Sequence, residues 1–272
     1  MLAKKLVMYS SFHLIIKYVK YLWRSSNGKG HGVHSPFVYS FIKEVLNKQI
    51  ANHKLDAIEL YRKELLQNSE KVNVWDRGAG SRQSAENMRS IQQIAKVALK
   101  PRKYSLLLHK IVSFYKPTEI LEMGTSLGIT TCYLAAANPK AKVVTMEGAP
   151  SVATIAKNTF SKLGYANIEI IEGDFDETLP SYLKSIDQLG IAYVDGNHRY
   201  EPTINYFKQL LEKANDHSIL IFDDIHWSEE MEKAWEEIKQ DVHVTLTIDL
   251  FFIGLVFVRQ AQKEKEHFTI RY

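Results

Sequence analysis

The sequence is short of the features that define several protein classes. It has one cysteine, Cys132, in 272 residues. That excludes an internal disulfide framework and fits a reducing compartment better than a secreted scaffold. No run of about 18 uninterrupted apolar residues is present, so no transmembrane helix is expected. The apolar stretch near the start follows Lys4 and Lys5 but is broken by His13, Lys17 and Lys20. No small-residue cleavage site follows it, so it is not read as a signal peptide, and the protein is expected in the cytoplasm. No repeat or low-complexity tract stands out. The absence of Gly-x-Gly-x-x-Gly argues against a nicotinamide-dependent oxidoreductase.

What is present suffices for one full α/β core with an appendage, at 45% hydrophobic residues. The net charge of +4 hides an asymmetry. Residues 1–110 hold 20 Lys and Arg against 7 Asp and Glu, a net of +13, and the remainder holds 15 against 24, a net of −9. A basic third suits an acidic partner, such as nucleic acid or an anionic membrane surface. It equally suits packing of the two parts through complementary charge, which the scatter of the basic residues favours.

The pattern changes near Pro101. Before it, Leu2, Leu6, Phe12, Ile15, Ile16, Val19, Leu22 and Trp23 recur at helical spacing with lysines between them, predicting a helix over 2–23. Such a basic amphipathic helix lies in a membrane interface or, the favoured reading, packs on its own protein or a partner subunit. A Gly-rich break over 25–32 follows. Ser35-Pro36 then opens a helix over 37–46, and another is expected over 55–66. The polar loop 76–81 is either a lid or a connector. His31 and His34 have no third ligand nearby, which disfavours a zinc site.

After Lys103, strands are expected at 119–122, 142–147, 167–171, 191–195 and 218–223. Helices are expected at 129–137, 151–163, 179–186, 202–214 and 229–239. Strand–helix alternation of this kind builds a parallel sheet covered on both faces. Two apolar strands over 242–250 and 251–259 read as a closing hairpin. The fold class is therefore α/β: a doubly wound, mostly parallel, Rossmann-like seven-stranded sheet ending in an antiparallel hairpin. Residues 1–100 form an N-terminal helical appendage and 101–272 the main domain.

Ligands of such sheets bind beyond the carboxyl ends of the strands. The first strand leads into Glu122-Met123-Gly124-Thr125-Ser126-Leu127-Gly128. Gly124 and Gly128 allow a tight turn and a close approach to a ligand, and Glu122 can meet an ammonium group directly or through water. The second strand ends in Glu147-Gly148, whose carboxylate suits the two hydroxyls of a ribose. The third ends in Gly173-Asp174-Phe175, where Asp174 suits an exocyclic amine of adenine and Phe175 an apolar neighbour for the ring. Each acid alone is as well explained as a solvated strand-end residue.

In order, Glu122-x-Gly124-x-x-x-Gly128, Glu147 and Gly173-Asp174 resemble the motifs of class I S-adenosylmethionine (SAM)-dependent methyltransferases. Within that class the chain is most similar to the O-methyltransferase branch that includes catechol O-methyltransferase. The resemblance covers about residues 100–260 and implies SAM as cofactor, with Glu122, Gly124, Thr125, Ser126, Gly128, Glu147, Gly148, Asp174 and Phe175 around it.

The fourth and fifth strands end in Asp195-Gly196-Asn197-His198 and Asp223-Asp224-Ile225-His226. Asp195, Asp223 and Asp224 offer hard oxygen donors suited to Mg²⁺. The resemblance implies Asp, then Asp-Asn, at these places, and this chain departs from it at Asp224. It implies a catalytic lysine where this chain has His198, which titrates near neutrality and suits a general base. His226 is a second candidate base or ligand. The plainer alternative makes Asp223-Asp224 a cap for a helix near Ser228. The expected enzyme transfers a methyl group to an oxygen of a small molecule with Asp195 and His198 as catalytic residues. A nucleic-acid methyltransferase and a non-catalytic cofactor-binding protein are the rivals, and a homodimer is left open. The lack of an Asn-Pro-Pro-Tyr-type tetrapeptide after the fourth strand argues against the first rival.

Overall fold

The computed structural model describes residues 8–50, 53–74 and 88–272. Leu2 and Leu6 of the first predicted helix, and the loop 76–81, lie outside the described residues. The chain divides into two units: a mid-chain unit, Lys48–Ser185, and a terminal unit that combines Met1–Asn47 with Ile186–Tyr272.

After α1 (Ser11–Arg24) and α2 (Pro36–Phe41) of the terminal unit, the mid-chain unit begins with α3 (His53–Gln67) and continues through the short antiparallel pair β1 (Lys71–Asn73) and β2 (Met88–Ser90). Helices α4 (Ile91–Ala98) and α5 (Arg102–Tyr115) follow. Ser90 and Gln93 close a reciprocal capping box at the start of α4. The alternating part then runs β3 (Glu119–Met123), α6 (Ile129–Ala137), β4 (Lys142–Glu147), α7 (Pro150–Leu163), β5 (Ile168–Glu172) and α8 (Phe175–Lys184). The strands are parallel, with β4 between β3 and β5. Strand β3 and the interior of β4 are almost wholly buried because helices cover them. Leu127, Cys132, Tyr133, Val152, Ala156 and Phe160 belong to one apolar cluster with Ile58 and Leu65 of α3. Pro150 opens α7 and Gly164, at φ 75°, closes it.

In the terminal unit, α1 (Ser11–Arg24) starts later than its apolar periodicity predicts, because the Ser10 hydroxyl caps it by accepting from His13 N–H. Helix α2 (Pro36–Phe41) runs into a single π-helical stretch, Ile42–Leu46. The remainder is β6 (Ile191–Val194), α9 (Tyr200–Leu211), β7 (Ile219–Asp223), α10 (Glu229–Gln240), β8 (Leu246–Asp249), β9 (Ile253–Phe257) and β10 (Glu266–Thr269). Strands β6 and β7 are parallel, β9 pairs antiparallel with both β7 and β8, and β10 pairs parallel with β8. The hairpin turn is tight: Asp249 Oδ1 accepts from Phe251 N–H at 2.8 Å, and Phe251 takes a φ of 72°.

Among the described residues, the mid-chain unit therefore holds three of the seven expected strands, β3 to β5, and the terminal unit holds the other four, β6 to β9, together with the unexpected β10. Residues 21–26 meet residue 270 within the terminal unit. Ser26 bridges Ile270 in parallel, and the buried Tyr21 hydroxyl donates to the Ile270 carbonyl. No helix among the described residues is long and apolar enough to cross a membrane.

Candidate functional site

The mid-chain unit gathers its candidate residues at the carboxyl ends of three adjacent strands. Glu122, near the end of β3, is fully buried. Its Oε2 accepts from Thr145 Oγ1 of β4 at 2.6 Å and from Thr131 Oγ1 of α6. Thr145 spends its one proton there, so the 2.6 Å contact between Thr125 and Thr145 requires Thr125 to donate. The carboxylate thus ties two strands to a helix from beneath the loop.

That loop is built by conformations few residues adopt. Gly124 has φ 108°, Ser126 φ 49° and Gly128 φ 80°. A Cβ at Gly128 would lie 2.5 Å from Phe160 Cε1, so both backbone angle and packing demand glycine. Gly124 N–H and Thr125 N–H both donate to Met146 O of β4. Glu147, at the end of β4, accepts from Ser126 N–H at 2.8 Å and from Ala149 N–H at 2.9 Å. These bonds hold the acid against the glycine loop. On β5, Gly173 N–H donates to Glu147 O, and Asp174 caps α8 by accepting from Asp176 N–H. Glu147, Gly148, Asp174 and Phe175 are each partly exposed. A ring and two hydroxyl-bearing carbons can reach such a row from solvent. Ser126 Oγ is buried and makes no hydrogen bond among the described residues, so the loop holds a polar atom that a bound ligand can satisfy.

The terminal unit places Asp195 and Asn197 after β6 and Asp223 at the end of β7. One ligand atom each from Asp195, His198 and Asp223 lies within 4.8 Å of the other two. His198 Nε2 is 3.5 Å from Asp195 Oδ1, and Tyr193 OH donates to Asp195 Oδ2 at 2.9 Å. Asp223 is fully buried. Two carboxylates and an imidazole at this spacing fit one cation bonded at about 2.0–2.5 Å to each. Asp224 is not in the group. Asn197 and Asp224 have φ of 63° and 53°, left-handed values that Asn and Asp adopt more readily than other non-glycine residues.

His226 is placed elsewhere. Its Nε2 lies 2.8 Å from Asp249 Oδ2 and its Nδ1 3.0 Å from Glu232 Oε1. Burial disfavours the imidazolium, but the hydrogen bonds and charges of the two acids outweigh it and push the pKa up to about 9. Glu232 also accepts from Tyr9 OH at 2.8 Å and pairs with Lys17 of α1 at 2.8 Å. Its burial is outweighed by His226, Lys17 and Tyr9, and its pKa falls to about 2. His226 thus links Asp249 to Glu232, the acid that holds Tyr9 and, on α1, Lys17. Ser228, not Asp223-Asp224, caps α10, its Oγ accepting from Met231 N–H. The sequence signal for this cluster is only five separate polar residues spread from position 9 to 249.

Comparison with known proteins agrees with the resemblance read from the residues. Residues 121–225 match the family model described as a methyltransferase domain. O-methyltransferase imqG of Aspergillus flavus is 26% identical over 130 residues, 46% of this chain and 51% of the relative. The catechol O-methyltransferase of Mycobacterium tuberculosis is 27% identical over 108 residues, 39% of this chain and 47% of the relative. The chain thus spans about half the length of the curated relatives it matches. The crystal structure of the O-methyltransferase TomG from Streptomyces achromogenes, in complex with SAM, superposes with a TM-score of 0.56 at 18% identity, covering 82% of this chain and 96% of that one. The likeness shows a Rossmann-like α/β fold shared with that structure.

Proposed function

We propose that this protein is a SAM-dependent methyltransferase that methylates an oxygen of a small molecule. The observation that carries the reading is the row at the ends of β3, β4 and β5: a glycine loop with a buried, unsatisfied Ser126 hydroxyl, then Glu147, then Asp174. Residues 101–272 are the SAM-binding domain in this reading. The helical appendage, 1–100, contributes to the choice of acceptor.

Within the row, Glu147 accepts from the ribose hydroxyls, Asp174 from the adenine amine, and Phe175 packs on the ring. Gly124, Thr125, Ser126, Gly128 and Gly148 form the surface beneath the ligand. Glu122 acts through its threonine bonds, fixing the loop from below. SAM, when bound, would supply a methyl group on a sulfonium, and a cation such as Mg²⁺ would lower the pKa of an acceptor hydroxyl. Asp195 and Asp223 would hold that cation and orient the acceptor oxygen. In this reading His198 leaves the cation to the two carboxylates and takes the hydroxyl proton at Nε2, which lies 3.5 Å from Asp195 Oδ1. Alignment of the reacting atoms supplies much of the acceleration.

Calorimetry with SAM and with S-adenosylhomocysteine, each in the presence of Mg²⁺ and of EDTA, tests the reading. Saturable binding of both nucleosides is expected. Binding of neither removes the proposal. Nucleoside binding joined to methyl transfer that EDTA leaves untouched removes the cation from it.

A further inference from the structure

Helix α1 has three sides with different chemistry. One faces its own unit: Tyr21 is buried, Lys17 pairs with Glu232, and the Tyr18 ring meets Phe251 edge-on at 5.0 Å. The second side is apolar and exposed. It holds Phe12 at 73% exposure, Ile15, Ile16, Val19, and Trp23 at 86%. At 100° per residue these five fall within about 100° of the helix circumference, a continuous stripe running the length of α1. The third side, along one edge of the stripe, carries His13, Lys20 and Arg24, all exposed. The methyltransferase chemistry uses none of these residues.

An exposed stripe of large apolar side chains on an anchored helix has a cost in water, and the surroundings indicate what covers it. The first 47 residues contain seven Lys and Arg and a single acid, Glu44. An antiparallel pairing of two copies through the stripe sets Lys20 and Arg24 against the same edge of the other copy, where like charges repel. The stripe is also small for a dimer: about 20 Å long and 10 Å wide, on the order of 200 Å², against the roughly 800 Å² per partner of a stable interface. A bilayer surface has neither objection. Anionic headgroups complement the basic edge, the apolar stripe enters the headgroup–acyl boundary, and tryptophan is favoured at that depth.

We propose that α1 docks this protein on an anionic lipid surface, with Phe12, Ile15, Ile16, Val19 and Trp23 inserted and Lys20 and Arg24 at the headgroups. The Lys17–Glu232 pair and the Tyr21 hydroxyl bond to Ile270 O hold the helix with this face outward. The inference is independent of the methyl-transfer reading.

Sedimentation of the full chain with vesicles tests it. Phosphatidylcholine vesicles containing roughly a third phosphatidylserine should carry the protein down, and pure phosphatidylcholine vesicles at least about tenfold less. The Phe12→Ser/Trp23→Ser double variant changes only exposed side chains and should keep the wild-type melting temperature while losing about tenfold or more of the binding. Lys20→Glu/Arg24→Glu should lose it too. Absence of wild-type binding to the anionic vesicles overturns the proposal, as does binding that the apolar double variant leaves unchanged. A dimer measured by light scattering that Phe12→Ser/Trp23→Ser dissolves also overturns it, and assigns the stripe to a second copy.

Discussion

His226 Nε2 lies 2.8 Å from Asp249 Oδ2, and the same imidazole is 3.0 Å from Glu232 through its other nitrogen. The folded pKa of about 9 exceeds the ordinary 6.5, so folding favours the protonated form. The stability this provides is complete below about pH 6.5 and is lost as pH rises through about 9. Glu232 behaves oppositely: its folded pKa of about 2 lies below the ordinary 4.5, so its contribution is present above about pH 4.5 and lost as pH falls through about 2. Both are in place between about pH 4.5 and 6.5. His226→Gln should destabilise the protein by on the order of 2–3 kcal/mol at pH 6 and by much less at pH 10. Melting curves of both proteins across that range check this, and a pH-independent difference would refute it.

Glu147 is expected to bind SAM and to hold the glycine loop at once. Glu147→Ala removes both, and should weaken SAM affinity by on the order of 1–3 kcal/mol. Glu147→Gln keeps an acceptor for Ser126 N–H or Ala149 N–H but loses the charge, so it should fall between wild type and alanine. Titration calorimetry gives both values. Unchanged affinity in the alanine variant would remove the ribose assignment.

Gly128→Ala meets two obstacles, a φ of 80° and a Cβ position 2.5 Å from Phe160 Cε1. A loss of on the order of 2–4 kcal/mol in urea unfolding is expected. Phe160→Leu relieves only the second obstacle. The double variant should therefore lose less than the sum of the two single variants, and strict additivity would show that the ring is not the barrier.

The Asp195–His198–Asp223 group separates cation binding from chemistry. Asp223→Asn preserves shape and should reduce Mn²⁺ affinity at least about tenfold, read by paramagnetic resonance, with SAM binding intact. His198→Gln should lower turnover on the order of 10²- to 10⁴-fold with SAM affinity unchanged. Wild-type Mn²⁺ affinity in Asp223→Asn would end the cation assignment.

Much of the alternating region is legible in the sequence. Its strands are short β-branched runs that end in acids or turn residues, and the predicted 142–147 and 129–137 are the observed β4 and α6 bounds. Helix α8 begins earlier than its apolar residues suggest because Asp174 caps it, and Pro180 inside it obscured the periodicity. Strand β10 went unread because Glu266-His267-Phe268-Thr269 has no apolar alternation. Its place depends on the open edge of β8, which no local pattern announces. The same holds at the candidate sites. The acids are visible as strand ends, but the three-residue group joins His198 to Asp195 and Asp223, and no local pattern announces that juxtaposition. The burial of Glu122 follows from threonines on two other elements.

The join between Tyr21 and Ile270, 249 positions apart, sets the timetable on which the polypeptide can mature. On the ribosome, α1 emerges long before β10 exists, and until then Tyr21 and Ser26 lack the backbone groups they finally hold. The residues of α1 therefore spend most of translation without the partners that cover their inward side in the folded chain. Truncation just before residue 266 should fix the protein in that immature condition, and its yield from cells should fall through degradation or aggregation although every residue proposed to act on the substrate is still present.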